Sequence, residues 1–366
     1  MKLIYLTNVY IPGMWAHSIQ VMKMCEAFKK IGLETELITG MKRGDDEEIF
    51  SYYNIKTKFK ITKIPYFDFS SKGSGKLNFL MRTFSFIFFT KLKLLFKKYD
   101  ILYIRTPLIG IFFNNFYLEV HELPPRLKQW HKKVFKKAKK IIVLTSFLKK
   151  ELVNRGVQAE KIIIAPDAVN LEEFQINLSQ AEARKKLSLP LDKKIIMYCG
   201  NFYVHDWKGV DILLKSLEHI NNALCVLVGG HESEFNKIRK QYQSKNLILI
   251  KHQPHENIPV YLKVADALIL PNKKGDDNSE YYTSPLKLFE YMASGNPIVA
   301  SDLPSIREVL NETNAVMVEP NNPEKLALGV RGVLENNELA KKISTQALLD
   351  VKNYTWQKRA EKIIKP

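Results

Sequence analysis

Short apolar, β-branched runs alternate with stretches of helical periodicity along most of the chain. Leu3–Thr7, Glu34–Thr39, Ile101–Ile104, Tyr117–Val120 and Ile141–Thr145 read as strands, most of them followed by a helical pattern. A second series runs through Lys194–Cys199, Leu224–Val228, Leu247–Ile250, Ala267–Leu270, Ile298–Ala300 and Ala315–Val318, with helical patterns such as Val210–His219 between its members. Strands that alternate with helices pair in parallel and are covered on both faces, so each series predicts an α/β, Rossmann-like domain. Between them, Leu171–Asp192 is polar, contains the helical stretch Gln180–Leu187 and ends in SLPLD, which marks a connector. The expected organisation is a first domain over 1–175, a boundary near 175–190 and a second domain over 190–353. Trp356, Ala360 and Ile363 share one stripe of the amphipathic stretch Tyr354–Ile364, so the closing segment 354–366 is expected to pack back on a sheet, the first domain's being the candidate.

Composition agrees with two domains: 366 residues with 46% apolar content exceed what one core usually holds. Cys25, Cys199 and Cys225 are few, odd in number and set in apolar runs, which fits reduced thiols and a cytoplasmic location. Met1–Asn8 has only a short apolar run, so a strand and no signal peptide is expected there. Leu77–Phe96 is the most membrane-like stretch, but Arg82, Lys91 and Lys93 interrupt it well short of the ~20 apolar residues a bilayer needs. Residues 1–175 hold 30 Lys/Arg against 16 Asp/Glu, placing +14 of the net +18 in the first half. That asymmetry points either to an anionic partner of the first domain or to a solvated lysine face.

Thr283–Gly295, TSPLKLFEYMASG, carries the most chemistry. Ser284 suits an N-cap, Pro285 the first helical position and Gly295 the position past the end, which predicts a helix starting at Ser284. The free N–H groups of such a start sit at the positive end of the helix dipole, and with Lys287 they suit a diphosphate. Glu290, further along, can accept hydrogen bonds from ribose hydroxyls. Leu286, Phe289 and Ala293 form the stripe that would face the core.

The string TSPLKLFEYMASGNPIVASDLPSIREVL resembles the donor-binding signature of family-four glycosyltransferases (glycosyl transferases group 1), in a SPLKLFEYMA variant, and the resemblance extends over nearly the whole chain. It implies a GT-B fold, two Rossmann-like domains facing each other across a cleft, with the donor bound by the second domain and the acceptor by the first. The implied activity is retaining transfer of a sugar from a UDP- or GDP-linked donor to a saccharide or lipid-linked acceptor, in bacterial cell-surface polysaccharide or lipopolysaccharide synthesis, with no metal or other cofactor. Ser284, Pro285, Leu286 and Lys287 would hold the pyrophosphate and Glu290 the ribose. The family's first glutamate, eight positions earlier, is replaced by Tyr282, so an acidic contact to the donor sugar is lost; Glu280 or Asp277 on the preceding loop is the candidate substitute, in a subfamily that tolerates the absence.

Gly200–Gly209, GNFYVHDWKG, resembles the family's Gly-Arg…Lys-Gly loop: Gly200 and Lys208 match, and Asn201 stands in the arginine's place, so either one cation suffices or another residue, Arg105 or His205, contributes. His121, in YLEVHELP, is at the end of a predicted strand and looks like the family's histidine that touches the donor sugar or its phosphate. Trp15, Ala16 and His17, in PGMWAHSIQ, are the candidate acceptor contacts, in a loop without the family's usual glycine pair. Pro166–Asn170 resembles the family's structural turn into the linker.

Lys128–Lys140 combines seven lysines with Trp130, Val134 and Phe135, and together with Leu77–Phe96 it is a candidate surface for an anionic leaflet. Two other functions are weighed. A sugar-nucleotide epimerase on the same fold would want more acid/base residues than His121, Glu122 and the acidic loop 276–280. A nucleic-acid-binding protein would leave Thr283–Gly295 without a role, so nucleic acid is not expected as a partner. Gly73–Lys76 lacks the remainder of a phosphate-binding loop, and no G-x-G-x-x-G follows the first strand, which sets aside ATPase and dehydrogenase chemistry.

Overall fold

The computed structural model describes residues 1–13, 15–40, 45–67, 75–202, 206–242 and 245–365. They divide into two units, Met1–Pro166 with Trp356–Pro366, and Asp167–Thr355. In the first, Lys2–Leu6 (β1), Glu34–Gly40 (β2), Lys60–Ile64 (β3), Ile101–Ile104 (β4), Phe116–Val120 (β5), Ala138–Val143 (β6) and Ile162–Ile164 (β7) form one sheet in the order β3-β2-β1-β4-β5-β6-β7. All its pairings are parallel. Leu3 to Leu6 have no exposed surface, as expected of a central strand covered on both faces. The order reverses between β1 and β4, the switch point at which loops beyond the carboxyl ends diverge and ligands bind in such sheets.

In the second unit Lys194–Cys199 (β8), Ala223–Gly230 (β9), Leu247–Lys251 (β10), Ala267–Leu270 (β11), Ile298–Ser301 (β12) and Val316–Val318 (β13) repeat the plan in the order β10-β9-β8-β11-β12-β13. Alternate residues of β8 enter two cores. Ile195 and Met197 pack with Leu268 and Phe289 on one face, Ile196 and Tyr198 with Leu213 and Ile269 on the other. This two-sided burial is why each strand reads as an unbroken apolar run.

Residues 167–175 go with the second unit, so the first ends at Pro166 and not at the expected 175. The Asp167 N–H donates to Ser284 Oγ at 3.0 Å, Val169 bridges to Thr355, and Phe174 is buried in the second unit's core. Helix Trp356–Ile364 belongs to the first unit, where it buries Trp356, Arg359, Ala360 and Ile363 and packs on helix Ala16–Lys30. The three cysteines are free and buried. Among the described residues no helix is long and apolar enough to cross a membrane.

Candidate functional site

The carboxyl end of β8 leads into Gly200, whose φ of 137° favours glycine. A Cβ there would stand 2.7 Å from Lys287 Nζ, so the missing side chain is what lets that ammonium reach the strand end. Gly209 (φ 71°) has even less freedom, because a Cβ would lie 1.8 Å from the carbonyl of Pro271. This close approach, with Lys273 N–H donating to the Trp207 carbonyl and Lys273 Nζ 2.8 Å from Asp206, pins the Lys208 turn to the end of β11. The pinned ends of β8 and β11 flank the switch point of the second sheet.

Helix Leu286–Ser294 begins one residue later than expected. Pro285 takes the cap position, and Ser284 Oγ accepts from Asp167 instead of capping. The helix start therefore has no side-chain cap, and its first N–H groups keep their capacity for an acceptor. Gly295 ends the helix with φ 73°, and Leu286, Phe289 and Ala293 are buried as expected. Tyr291 Oη accepts from Cys199 N–H at 2.8 Å and so ties the helix to the end of β8.

Lys287 points into this corner. Its Nζ is buried, has no hydrogen-bond partner among the described residues, and lies 3.7 Å from the centroid of the Tyr198 ring. Burial, and then the like charge of Lys208, push its pKa well below the lysine range, against the opposing pull of Cys199 and Glu290. Burial also lowers the pKa of Lys208, opposed by Glu234. Two cations thus converge beside a glycine backbone and an uncapped helix start. Glu290 Oε1 is 2.8 Å from His255 Nε2, and both side chains are 12% exposed.

The other expected contacts are dispersed. Asn201 is fixed through its carbonyl, which accepts from Tyr198 Oη at 3.1 Å. Glu280 is drawn inward and spends Oε1 on the Gly275 N–H at 2.6 Å, holding its own loop. Asp277 caps the one-turn helix Asn278–Tyr282 without a side-chain bond. Arg105 lies in the first unit, where Nε donates to Gln20 at 3.0 Å, and His205 lies outside the described residues. Within the second unit, the charge of Lys208 is felt at Lys287. Among the described residues no group of His, Cys, Asp and Glu could hold a metal ion.

In the first unit His121 follows β5 and contacts a buried carboxylate. Glu119 Oε1 receives Gln20 Nε2, His121 Nε2 at 3.0 Å and an Arg359 guanidinium N–H at 2.7 Å, while Oε2 accepts from Tyr103 at 2.7 Å and Tyr5 at 3.3 Å. Burial alone would raise the pKa of Glu119; the charge of Arg359, the His121 contact and Arg105 outweigh it and hold the carboxyl well below its usual range. Burial and Arg105 pull His121 down to about 4, against Glu119, and burial, Arg105 and His121 do the same to His17. Trp15 precedes helix Ala16–Lys30 and is exposed, as is Ala16.

Sequence reasoning missed His255, Tyr198, Glu119 and Arg359. A lone histidine in a polar connector gives no signal toward a segment 35 positions away. Glu119 did leave a trace, a carboxylate in the middle of the apolar strand FYLEV, where an unpaired charge would be prohibitive.

Residues 179–349 match the family described as Glycosyl transferases group 1. An uncharacterized glycosyltransferase of Methanocaldococcus jannaschii is 25% identical over 236 residues, 61% of this chain and 58% of that protein. A putative colanic acid biosynthesis glycosyl transferase of Escherichia coli, WcaI, is 26% identical over 210 residues, 54% of this chain and 50% of that protein. The chain thus spans between half and three-fifths of the length of these curated relatives. Among solved structures, sucrose-phosphate synthase from Thermosynechococcus elongatus superposes with a TM-score of 0.78 at 19% identity, covering 98% of this chain and 96% of the other. Anabaena HepE in complex with UDP and glucose gives 0.77 at 15% identity, covering 99% and 98%. The two parallel sheets are those of the GT-B fold, and residues 179–349 carry the match to the glycosyl transferases group 1 family.

Proposed function

We propose that this chain transfers a sugar, with retention of anomeric configuration, from a nucleoside-diphosphate donor to a saccharide or lipid-linked acceptor in cell-surface polysaccharide or glycolipid synthesis. The observation that carries the reading is Lys287, a buried amine without a hydrogen-bond partner among the described residues, set beside Lys208, Gly200 and an uncapped helix start. Such a corner lacks only an anion. The diphosphate would lie on Lys208, Lys287 and the N–H groups after Pro285, with Gly200 and Asn201 beneath it and the ribose hydroxyls on Glu290. UDP is the first nucleotide to test, because HepE carries it in its solved complex.

When the bond from the anomeric carbon to the β-phosphate breaks, negative charge grows on the leaving nucleotide. Two fixed cations in a corner of low water access stabilise that charge more than the ground state, which is electrostatic catalysis. The acceptor hydroxyl passes its proton to the departing phosphate. The lysines supply the charge that a divalent ion supplies elsewhere, so the proposal includes no metal or other cofactor. In the first unit, His121 would face substrate, and Trp15, Ala16 and His17 the acceptor.

A thermal-shift screen against UDP-, GDP-, ADP- and CMP-sugars tests the reading, since a ligand that binds only the native state raises its melting temperature. A shift with one base series, abolished in Lys287→Met, is the expected outcome; none with any would sink it.

A cytoplasmic chain resting on an anionic leaflet is a further part of the proposal. Leu77, Met81, Phe84, Phe88, Leu92 and Leu95 recur at helical spacing along one exposed face of helix Lys76–Leu95. Exposed Lys91 and Lys93 lie at its end, and helix Gln129–Lys137 exposes Lys132, Lys133 and Lys136. Each basic side chain near such a surface contributes about 1 kcal/mol. Flotation with vesicles containing anionic phosphatidylglycerol, lost on changing Lys132, Lys133 and Lys136 to Glu, is expected; equal flotation refutes it.

A further inference from the structure

We propose that Glu119, clamped by Arg359 of the closing helix, is a positioning residue that holds His121 as the Nε2–H tautomer and leaves Nδ1 as the ring's open acceptor. The inference rests on the reading that His121 faces substrate. Its geometry is independent of that reading. Glu119 has no exposed surface and is met by five groups: the hydroxyls of Tyr5 and Tyr103, the Gln20 amide, Arg359 and His121. An ionised carboxylate has no proton to give, so the ring nitrogen 3.0 Å away must be the donor.

The other nitrogen then carries a lone pair. No hydrogen bond reaches Nδ1 among the described residues, and the side chain keeps 23% of its surface exposed. Burial, then Arg105 and Arg359, favour a neutral ring against the opposing pull of Glu119, and His17 lies near enough to be affected by the ring's charge. A neutral imidazole with its lone pair outward accepts from a hydroxyl and repels a phosphate oxygen.

Arg359 is what makes the arrangement possible. Its Nε donates to the carbonyl of Pro166 at 2.8 Å, fixing the guanidinium, and its charge compensates a carboxylate that would otherwise be protonated at this depth. A proton on Glu119 would end the selection, because the carboxyl could then donate to His121 and invert the tautomer.

Long-range 1H–15N correlation spectra of the full chain labelled with 15N-histidine test this without substrate, so a failed turnover assay cannot be confused with a failed inference. The His121 signals are assigned by their loss in His121→Asn. Between about pH 6 and about pH 8, where an unperturbed histidine titrates, a neutral ring protonated at Nε2 is expected; the Nδ1–H form or an imidazolium overturns the proposal. Glu119→Gln keeps a carbonyl oxygen toward Arg359 and the Gln20 amide, which can only donate, so the Nε2–H form should persist. Glu119→Leu removes the acceptor, and the Nδ1–H form should appear. An Nε2–H share in Glu119→Leu equal to that of the wild type would also overturn the proposal. Should Glu119→Leu fail to fold, the wild-type spectrum still decides.

Discussion

Glu119 and Lys287 are buried charges near the carboxyl ends of the two sheets, and the chain treats them in opposite ways. Glu119 is met by five donors and stays ionised despite its depth. Lys287 Nζ finds only an aromatic face and the repulsion of Lys208, and its charged form is disfavoured. A charge satisfied from within fixes its neighbours and contributes to stability. One left unsatisfied costs stability, and a cost of this kind persists where a ligand supplies the missing partner. The first unit thus holds a completed network, the second an incomplete one.

The strongest way to break this contrast is through turnover. Removing Lys208 or Lys287 as alanine should lower kcat/KM by about 10²–10³-fold each, the usual loss for one preorganised group that stabilises developing charge. Steady-state assays with the donor identified by thermal shift check it. A loss under about threefold for Lys287→Ala would remove it from the site.

Stability should separate the two charges by sign. Glu119→Ala strands Arg359 and is expected to destabilise by about 3–5 kcal/mol, the range for breaking a buried pair from one side. Lys287→Met keeps the stem and removes a poorly solvated charge, and should stabilise by about 1–2 kcal/mol while losing the donor's thermal shift. Urea unfolding of both variants measures the difference; a destabilised Lys287→Met would mean that its ammonium is already satisfied.

Glu290 and His255 sharpen the contrast within the second unit, because here a pair is complete before any ligand arrives. Glu290→Ala should weaken nucleotide binding about tenfold through lost ribose contacts, and His255→Ala by less, since it acts by orienting Glu290. Calorimetry with UDP and GDP orders the two. Equal losses would place His255 in direct contact with the nucleotide.

The same difference explains what the sequence disclosed. All six strands of the second sheet were legible, because β8, β9, β11 and β12 are covered on both faces and read as continuous apolar runs. In the first sheet β3 and β7 were not. They are the two edges, and KITKI has polar residues at three of its five positions while Ile162–Ile164 is only three residues long. Lys287, Glu290, Lys208 and Gly200 were legible because they share short contiguous motifs. The helix start was misplaced by one residue because Ser284 had a second possible partner, Asp167, 117 positions away. Glu119 with Arg359, 240 positions apart, shows the limit: nothing local records that a strand carboxylate and a closing-helix guanidinium will meet.

The smallest expected effect is a pH dependence of nucleotide binding, and its sign follows from Lys287. In the free protein burial and Lys208 depress its pKa, with Glu290, Cys199 and the Tyr198 ring as its other neighbours. A bound diphosphate places negative charge beside Nζ and raises that pKa again. Binding therefore takes up a proton wherever the solution pH lies between the free and the bound values, and affinity there should strengthen as pH falls, by at most about tenfold per pH unit for one proton. Titration calorimetry in two buffers of different ionisation enthalpy counts that proton directly. Uptake approaching one proton in wild type and none in Lys287→Met is the expected pair of results. Release of protons, or equal uptake in both proteins, would show that Lys287 is already charged before the nucleotide arrives.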